Sequence, residues 1–384
     1  MTIPEPFGIY YHVPFCASRC PYCDFYSHCP PSLIPAYVDA ALDETRTLRR
    51  TESAADTKSA FGRRVTSVYF GGGTPSMLPA FDVGRILDAV RQSFALTPDA
   101  EITLECNPGV SEPERYFEAL ASAGVNRLSL GLQSAVDAER KTLGRRSGPA
   151  AVSRAVGAAR AAGIGNLSLD VMAGIPRQTM QTLRQTLDFV LSLQVPHVSV
   201  YLLSLEPGTF FYKKRASLDL PDEDGQAEMY LFVCEYLAEH GFRHYEISNF
   251  CRGDRVGRHN LAYWTDAPYL GIGPGAHGFW NGLRYSHTPD LSAFLNGAPA
   301  QGEGPGGDPA ERLMLALRTD LGVDPARFSE ETGARWSPDL GREIGRLRGM
   351  GLLRERDGAI ALTDRGMLLS NRVIFALTEL LIPE

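Results

Sequence analysis

Cys16-Ala17-Ser18-Arg19-Cys20-Pro21-Tyr22-Cys23 spaces three thiols as C-x3-C-x2-C close to the start of a 384-residue chain. Three thiolates on one tight loop can each hold one iron of a cubane cluster, and Cys29, close enough in sequence to invite assignment as a fourth ligand, is set aside because it would fill the open position. One iron is then open to a small molecule. Three unrelated buried cysteines, or a zinc knuckle completed by a His, are the alternatives. Zinc pairs usually sit closer, as C-x2-C, and no second pair has that spacing. The apolar run Phe7-Gly8-Ile9-Tyr10-Tyr11-His12-Val13 precedes the loop and reads as a strand that ends where the ligands begin.

Working outward, five further strand-like runs each stop at polar or glycine punctuation. Val65–Phe70 ends at Gly71-Gly72-Gly73, Glu101–Glu105 at Asn107-Pro108-Gly109, and Arg127–Leu132 at Gln133-Ser134. Leu167–Met172 ends at Gly174-Ile175-Pro176 and His197–Leu203 at Glu206-Pro207-Gly208. Helix-like segments lie between them: Pro35–Arg50, Phe81–Phe94, Glu112–Ala123, Gly148–Ala162 and Gln181–Leu193. Six βα repeats predict an α/β fold with a parallel sheet, a barrel or most of one. Its functional loops then lie together at the carboxyl ends of the strands.

The loop, with an aromatic residue before its third Cys, resembles that of the radical S-adenosylmethionine (SAM) superfamily. Within it, the chain from about Gly8 onward is similar to oxygen-independent coproporphyrinogen oxidases and to their relatives, the HemW heme chaperones. The resemblance implies a partial (β/α)6 radical SAM barrel. It also implies a [4Fe-4S] cluster on Cys16, Cys20 and Cys23, with SAM on the open iron.

Bulk properties bound the rest. The composition, 44% hydrophobic and 22% charged, is that of an ordinary globular protein, with room for one large and one small domain. A net charge of −7 argues against general nucleic-acid binding. No apolar run reaches the roughly 18–20 residues of a membrane span. Met1-Thr2-Ile3-Pro4-Glu5-Pro6 lacks the basic and apolar regions of a signal peptide. Seven cysteines without a framework pattern suit a reducing compartment, so a cytoplasmic location is expected. Peripheral attachment to a membrane stays open.

The expected organisation is a barrel over 1–215 and a barrel extension over 216–296, helical and then irregular around Asp219–Asp254. A Gly/Pro-rich linker over 297–309 and a small C-terminal domain over 310–384 follow. Glu311–Arg318, Pro325–Thr332 and Pro338–Gly349 read as three helices. Leu352–Thr363 reads as a two-stranded wing turning at Asp357-Gly358, giving a winged-helix-like module. Residues 311–384 carry 11 Arg and no Lys against 12 acidic residues, so DNA binding is not expected.

Gly71-Gly72-Gly73-Thr74 permits a close backbone approach that side chains would forbid, though a glycine triplet can equally be a tight turn. By resemblance Gly72, Gly73 and Thr74 belong to the motif for the SAM amino group, and Tyr10, Tyr22 and Glu105 are further cofactor contacts. Glu105, at a strand end, can accept hydrogen bonds from ribose hydroxyls, or can be an ordinary salt-bridge partner. Gln133, Arg145 (in a helical stretch) and Asp170 carry over as cavity residues beyond the first SAM. Arg145 could instead be a surface residue, with Arg146 as its internal control.

Arg258-His259-Asn260-Leu261-Ala262-Tyr263-Trp264 offers an imidazole, a common axial ligand of heme iron, beside two flat aromatic rings. Without context it is an ordinary packing cluster. The resemblance assigns the H-N-x-x-Y-W motif, here His259, Asn260, Tyr263 and Trp264, to heme binding. Tyr269–Gly278 is dense in glycine, which suggests backbone packed close to a ligand such as the adenosyl end of SAM. His277, within it, is expected to be a buried His, with heme ligation as the alternative. Tyr245-Glu246-Ile247-Ser248-Asn249-Phe250 matches the chaperones without a chemistry of its own. Arg177, placed at a cavity edge, can pair with a heme propionate. Cys29, Cys106, Cys234 and Cys251 read as small buried hydrophobes.

Two functions fit. An oxidase would use one electron to cleave SAM, and the 5′-deoxyadenosyl radical would take a hydrogen from a propionate side chain of coproporphyrinogen III. A chaperone would bind heme and pass it to apo-hemoproteins, with cluster and SAM serving structure or regulation. The oxidases carry a further Cys two residues after the third ligand, where this chain has Phe25. They also carry an N-terminal extension, where 15 residues stand here, and the H-N-x-x-Y-W motif belongs to the chaperone side. The expectation is a heme chaperone, with enzyme activity left open. Its partners are heme and apo-hemoprotein acceptors, not nucleic acid. Membrane-associated acceptors and a homodimer stay open.

Overall fold

The computed structural model describes residues 6–27, 29–51 and 63–382. Most of Met1–Pro6, read above for targeting signals, lies outside that range. Six strands alternate with helices through the first half: β1 (Phe7–Val13), α1 (Ile34–Thr51), β2 (Arg64–Gly72), α2 (Ala80–Ser93), β3 (Ala95–Cys106), α3 (Pro113–Ala123) and β4 (Arg127–Gln133). Then come α4 (Asp137–Thr142), α5 (Pro149–Ala161), β5 (Asn166–Ala173), α6 (Met180–Ser192), β6 (His197–Leu202) and α7 (Phe210–Lys214). Neighbouring strands from β1 to β6 all pair in parallel, as crossover helices require.

The local chemistry explains the agreement with the sequence pattern. The first strand is buried on both faces, as a strand covered by helices must be. In α2 the residues Val83, Ile86, Leu87 and Val90 recur at helical spacing and are buried as one stripe. Pro113 opens α3 and Gly124, at φ 110°, ends it by turning the backbone left-handed. The Thr179 and Thr182 side chains form a reciprocal capping box at the start of α6.

The chain continues through α8 (Glu223–Glu239), β7 (Arg243–Glu246), β8 (Asn249–Cys251) and α9 (Arg258–Trp264), then β9 (Tyr269–Ile272), β10 (His277–Trp280), β11 (Leu283–Ser286), α10 (Leu291–Leu295) and β12 (Gln301–Pro305). Strand β9 joins the free edge of β1 in parallel, so the sheet of the first unit runs β12-β11-β10-β9-β1-β2-β3-β4-β5-β6. The C-terminal stretch holds α11 (Pro309–Ala316), α12 (Pro325–Thr332), β13 (Arg335–Trp336), α13 (Pro338–Gly349), β14 (Leu353–Arg356), β15 (Ala359–Leu362), α14 (Asp364–Leu368), α15 (Ser370–Thr378) and β16 (Leu381–Ile382). Three helices and the β14–β15 hairpin appear in the expected winged-helix order. Among the described residues no helix is long and apolar enough to cross a membrane.

The domain boundaries differ from the expectation. The chain divides into one unit of 1–221 with 267–304 and a second of 222–266 with 305–384. The predicted extension over 216–296 is therefore split. Its second half adds strands to the barrel sheet. Its first half bonds to the C-terminal stretch, with Ile247 N–H donating to the Arg318 carbonyl (3.0 Å) and Asp320 N–H to that of Tyr245 (3.0 Å). The predicted linker is corrected too, because residues 301–305 form the edge strand β12. Ladder hydrogen bonds are made by the backbone, so a Gly-rich segment with little to bury still orders beside a ready strand.

Candidate functional site

Strand β1 delivers the cysteine loop to the end of β2. Gly73 N–H donates to the Val13 carbonyl (2.8 Å) and Thr74 N–H to that of Phe15 (2.7 Å), which zips the glycine run onto the start of the loop. A Cβ on Gly73 would stand 2.6 Å from the Phe15 carbonyl oxygen, and one on Gly72, at φ 105°, would meet the His12 ring at 2.8 Å. Only glycine fits there. Thr74 Oγ1 lies 3.2 Å from Cys16 Sγ, and Cys23 N–H donates to the Cys20 carbonyl (3.2 Å) to close the ligand turn. Cys16, Cys20 and Cys23 are all half-exposed.

The next loops supply the charges. Arg145 Nη1 reaches to 3.9 Å from Cys20 Sγ while Nη2 donates to the Gly131 carbonyl (2.9 Å). Arg146 is exposed, so the internal control separates the two. Arg145 is not helical as expected. The short α4 ends before it, and the intervening turn swings it back over the strand end. Gln133 ends β4 at φ 64°, where the register with β5 shifts. Asp170 on β5 accepts from Ser129 Oγ (2.9 Å), and burial pushes its carboxyl up against the pull of Ser129, Ser199, Arg127 and Arg145.

Inside the barrel, Tyr69 donates to Glu105 Oε1 at 2.8 Å. Burial pushes the Glu105 carboxyl up to about 8, although Tyr69 and the Gly72 N–H favour its charged form. His12 Nε2 lies 2.8 Å from the Tyr26 carbonyl, which can only accept, so Nε2 carries the proton. Nδ1 is then free to accept from Tyr10 OH at 3.1 Å, and burial lowers the His12 pKa and keeps the ring neutral. His12 and Tyr69 were not singled out in the sequence. The signal was present: His12 stands two residues from Tyr10 on one strand face, and Tyr69 is Tyr10's register partner on β2.

Burial, then the neighbouring Cys20 and Cys16 thiols, raise the Cys23 pKa, an arrangement that a bound cation relieves. With the glycine cradle and the Arg145 guanidinium alongside, these residues fit an iron–sulfur cluster. Tyr22 packs on Phe211 (6.3 Å between centroids) beside the apolar cluster of Leu143, Met172, Ile175 and Leu203, anchoring the ligand turn in the core.

The second motif forms α9 in the other unit. His259 is 1% exposed, and its Nε2 lies 2.8 Å from Tyr263 OH one helical turn on. Asn260, Tyr263 and Trp264 are half-buried. The Tyr245–Phe250 stretch, without a role in the sequence, braces this helix at both ends. Tyr245 OH accepts from Gly257 N–H (2.9 Å) at the helix start, and the Trp264 indole donates to the Glu246 carboxylate at its end. Arg318 stacks over the Trp264 ring at 5.5 Å.

His277 is exposed rather than buried, with Nδ1 3.4 Å from Glu303 on β12. Side chains on Gly271 and Gly273 would collide with the carbonyls of His277 and His12, so close backbone packing requires glycine at these two positions. Arg177 is 79% exposed, with Nε 4.0 Å from Asp219 Oδ2. Cys29, Cys106, Cys234 and Cys251 are buried as expected.

The radical SAM superfamily model matches residues 10–190, and the HemN C-terminal domain model matches 308–369. Heme chaperone HemW of Lactococcus lactis subsp. lactis (strain IL1403) is 32% identical over 380 residues, covering 97% of both chains. That of Mycobacterium tuberculosis (strain ATCC 25618 / H37Rv) is 37% identical over 380 residues, covering 96% of this chain and 94% of the relative. The chain belongs to the HemW heme chaperone family. Coproporphyrinogen III oxidase (HemN) from Escherichia coli, a radical SAM enzyme, superposes with TM-score 0.82 at 21% identity, covering 97% of this chain and 90% of that one. HemW-family membership and this fold agree with the strand order, the cysteine loop and the C-terminal module.

Proposed function

We propose that this chain is a radical SAM-type heme chaperone that delivers heme to apo-hemoproteins. In this reading Cys16, Cys20 and Cys23 hold a [4Fe-4S] cluster, and Tyr10, Tyr22, Gly72, Gly73, Thr74 and Glu105 serve SAM. Gln133, Arg145 and Asp170 line the cavity beyond, and His259, Asn260, Tyr263 and Trp264 receive heme. The observation that carries the proposal is near-full-length similarity to HemW chaperones, whereas the likeness to the oxidase is one of fold. Phe25, standing where the oxidases have a Cys, supports the same side and is 66% exposed. A bound cluster of this kind supplies single electrons to SAM.

The chain's own residues do the rest. Arg145 sets a fixed positive charge beside Cys20, and His12, neutral, orients the Tyr10 hydroxyl. Glu105 offers a carboxylate to hydroxyl donors. Because its carboxyl titrates near 8, well above its usual 4.5, a ligand that hydrogen-bonds the ionised form binds more tightly as pH rises through that value. SAM affinity of the loaded protein is expected to fall by up to about tenfold per pH unit below it. Glu105→Gln should weaken SAM about 10–100-fold and abolish that dependence, as calorimetric titration would show. Any slope left in the variant belongs to the ligand's own amino group.

The function is tested by anaerobic cluster reconstitution followed by heme, or by coproporphyrinogen III with SAM and reductant. A heme Soret band without protoporphyrinogen is expected. Protoporphyrinogen formed in step with 5′-deoxyadenosine would make the protein an oxidase.

A further inference from the structure

Away from both motifs, three side chains from distant parts of the second unit converge on one point. Cys234 lies on α8, His244 on β7 and Asp364 at the first position of α14. Cys234 Sγ is 3.8 Å from His244 Nδ1, which is 2.8 Å from Asp364 Oδ1, and the three donor atoms lie within 4.8 Å of one another. We propose that Cys234, His244 and Asp364 bind a borderline-soft divalent cation of the zinc class.

The donor set suits that class, with one sulfur, one imidazole nitrogen and one carboxylate oxygen. Bonds of about 2.0–2.3 Å at tetrahedral angles set donors roughly 3.3–3.8 Å apart. The sulfur–nitrogen distance already meets this, and the nitrogen–oxygen distance needs to open by about half an ångström. The thiol and the carboxylate both address the same ring nitrogen, while Nε2 is buried without a partner among the described residues. An imidazole serving only as a structural bridge would give one nitrogen to each partner.

The ring cannot easily turn away. It stacks on Phe250 with centroids 4.2 Å apart and planes within 12°. Cys234 is 3% exposed and the His244 side chain 10%, but that of Asp364 is 53% exposed, so an ion has an entry path and water can take a fourth position. Charge balances as well: the thiol releases its proton to solvent, and thiolate plus carboxylate neutralise a dication against a neutral imidazole. The ion would tie α8 to the helix that follows the wing, residues 130 apart in sequence.

The test uses the full chain with its cluster reconstituted, and iron at about four per chain shows that the cluster thiols are occupied. After incubation with zinc and removal of the free ion, about one zinc per chain should remain. Its X-ray absorption edge, separate from that of iron, should report one sulfur at about 2.3 Å with nitrogen and oxygen at about 2.0–2.2 Å. Cys234→Ala and Asp364→Asn should each weaken zinc at least about 100-fold with iron content unchanged. The exposed Asp364 keeps the test open should the core variant fold poorly. No retained zinc, equal retention by Asp364→Asn, or a three-sulfur shell would overturn the proposal.

Discussion

Cys20→Ala is expected to abolish the cluster, with iron falling from about four per chain to near zero after anaerobic reconstitution. In the proposed cluster each of the three thiolates would hold one iron, and removing one would leave an exposed edge that water and chelators strip. The loop does not depend on the thiol for its shape. It is held by Gly73 and Thr74 N–H bonds to Val13 and Phe15, by the Cys23 N–H bond to Cys20, and by Tyr22 on Phe211. The variant should therefore melt close to the wild type in the cluster-free state while losing both iron and SAM binding. Cys29→Ala is the control. Cys29 is 9% exposed and its thiol lies 3.7 Å from the Tyr26 hydroxyl, so its loss should cost about 1 kcal/mol of packing and leave iron intact. Full iron in Cys20→Ala, or iron lost in Cys29→Ala, would require a different ligand set.

His259→Ala is expected to remove the heme Soret signature of the reconstituted protein. The structure adds a condition to this. His259 Nε2 is engaged by Tyr263 OH and the ring is 1% exposed, so ligation requires the tyrosine to swing aside. Tyr263→Phe deletes the competing hydroxyl and should keep the axial ligand, whereas a purely structural His259 predicts that both variants lower the melting temperature and leave the Soret band alone. Glu246→Gln loosens the brace on Trp264 without touching His259, and should weaken heme about 3- to 10-fold with an unshifted band.

The barrel was readable because its evidence is local. Each strand is a short β-branched or aromatic run closed by glycine or polar residues, and each helix repeats its apolar residues at helical spacing. The predicted first strand, Phe7–Val13, coincides with β1, and the helices Pro325–Thr332 and Pro338–Gly349 coincide with α12 and α13. What failed was non-local. The run read as a linker ordered because β11 offered it a ladder, and the 216–296 segment divided because its two halves meet different partners. His277 looked buried because its neighbours are glycine and apolar, yet it stands exposed at the start of β10, where it meets Glu303 of the edge strand β12.

The sequence by itself determined the six βα repeats, the three-thiol loop at a strand end and the presence of the H-N-x-x-Y-W segment. Covalent spacing and hydrophobic periodicity act within a few residues, and they are written in the order of the chain. Only the tertiary structure decided which distant groups meet. It brought Arg145 onto Cys20 from 125 positions away, set Tyr245 and Glu246 at the two ends of α9, and drew Cys234, His244 and Asp364 together. Those meetings depend on which surfaces bury one another and which backbone groups find partners, and no local pattern encodes that choice.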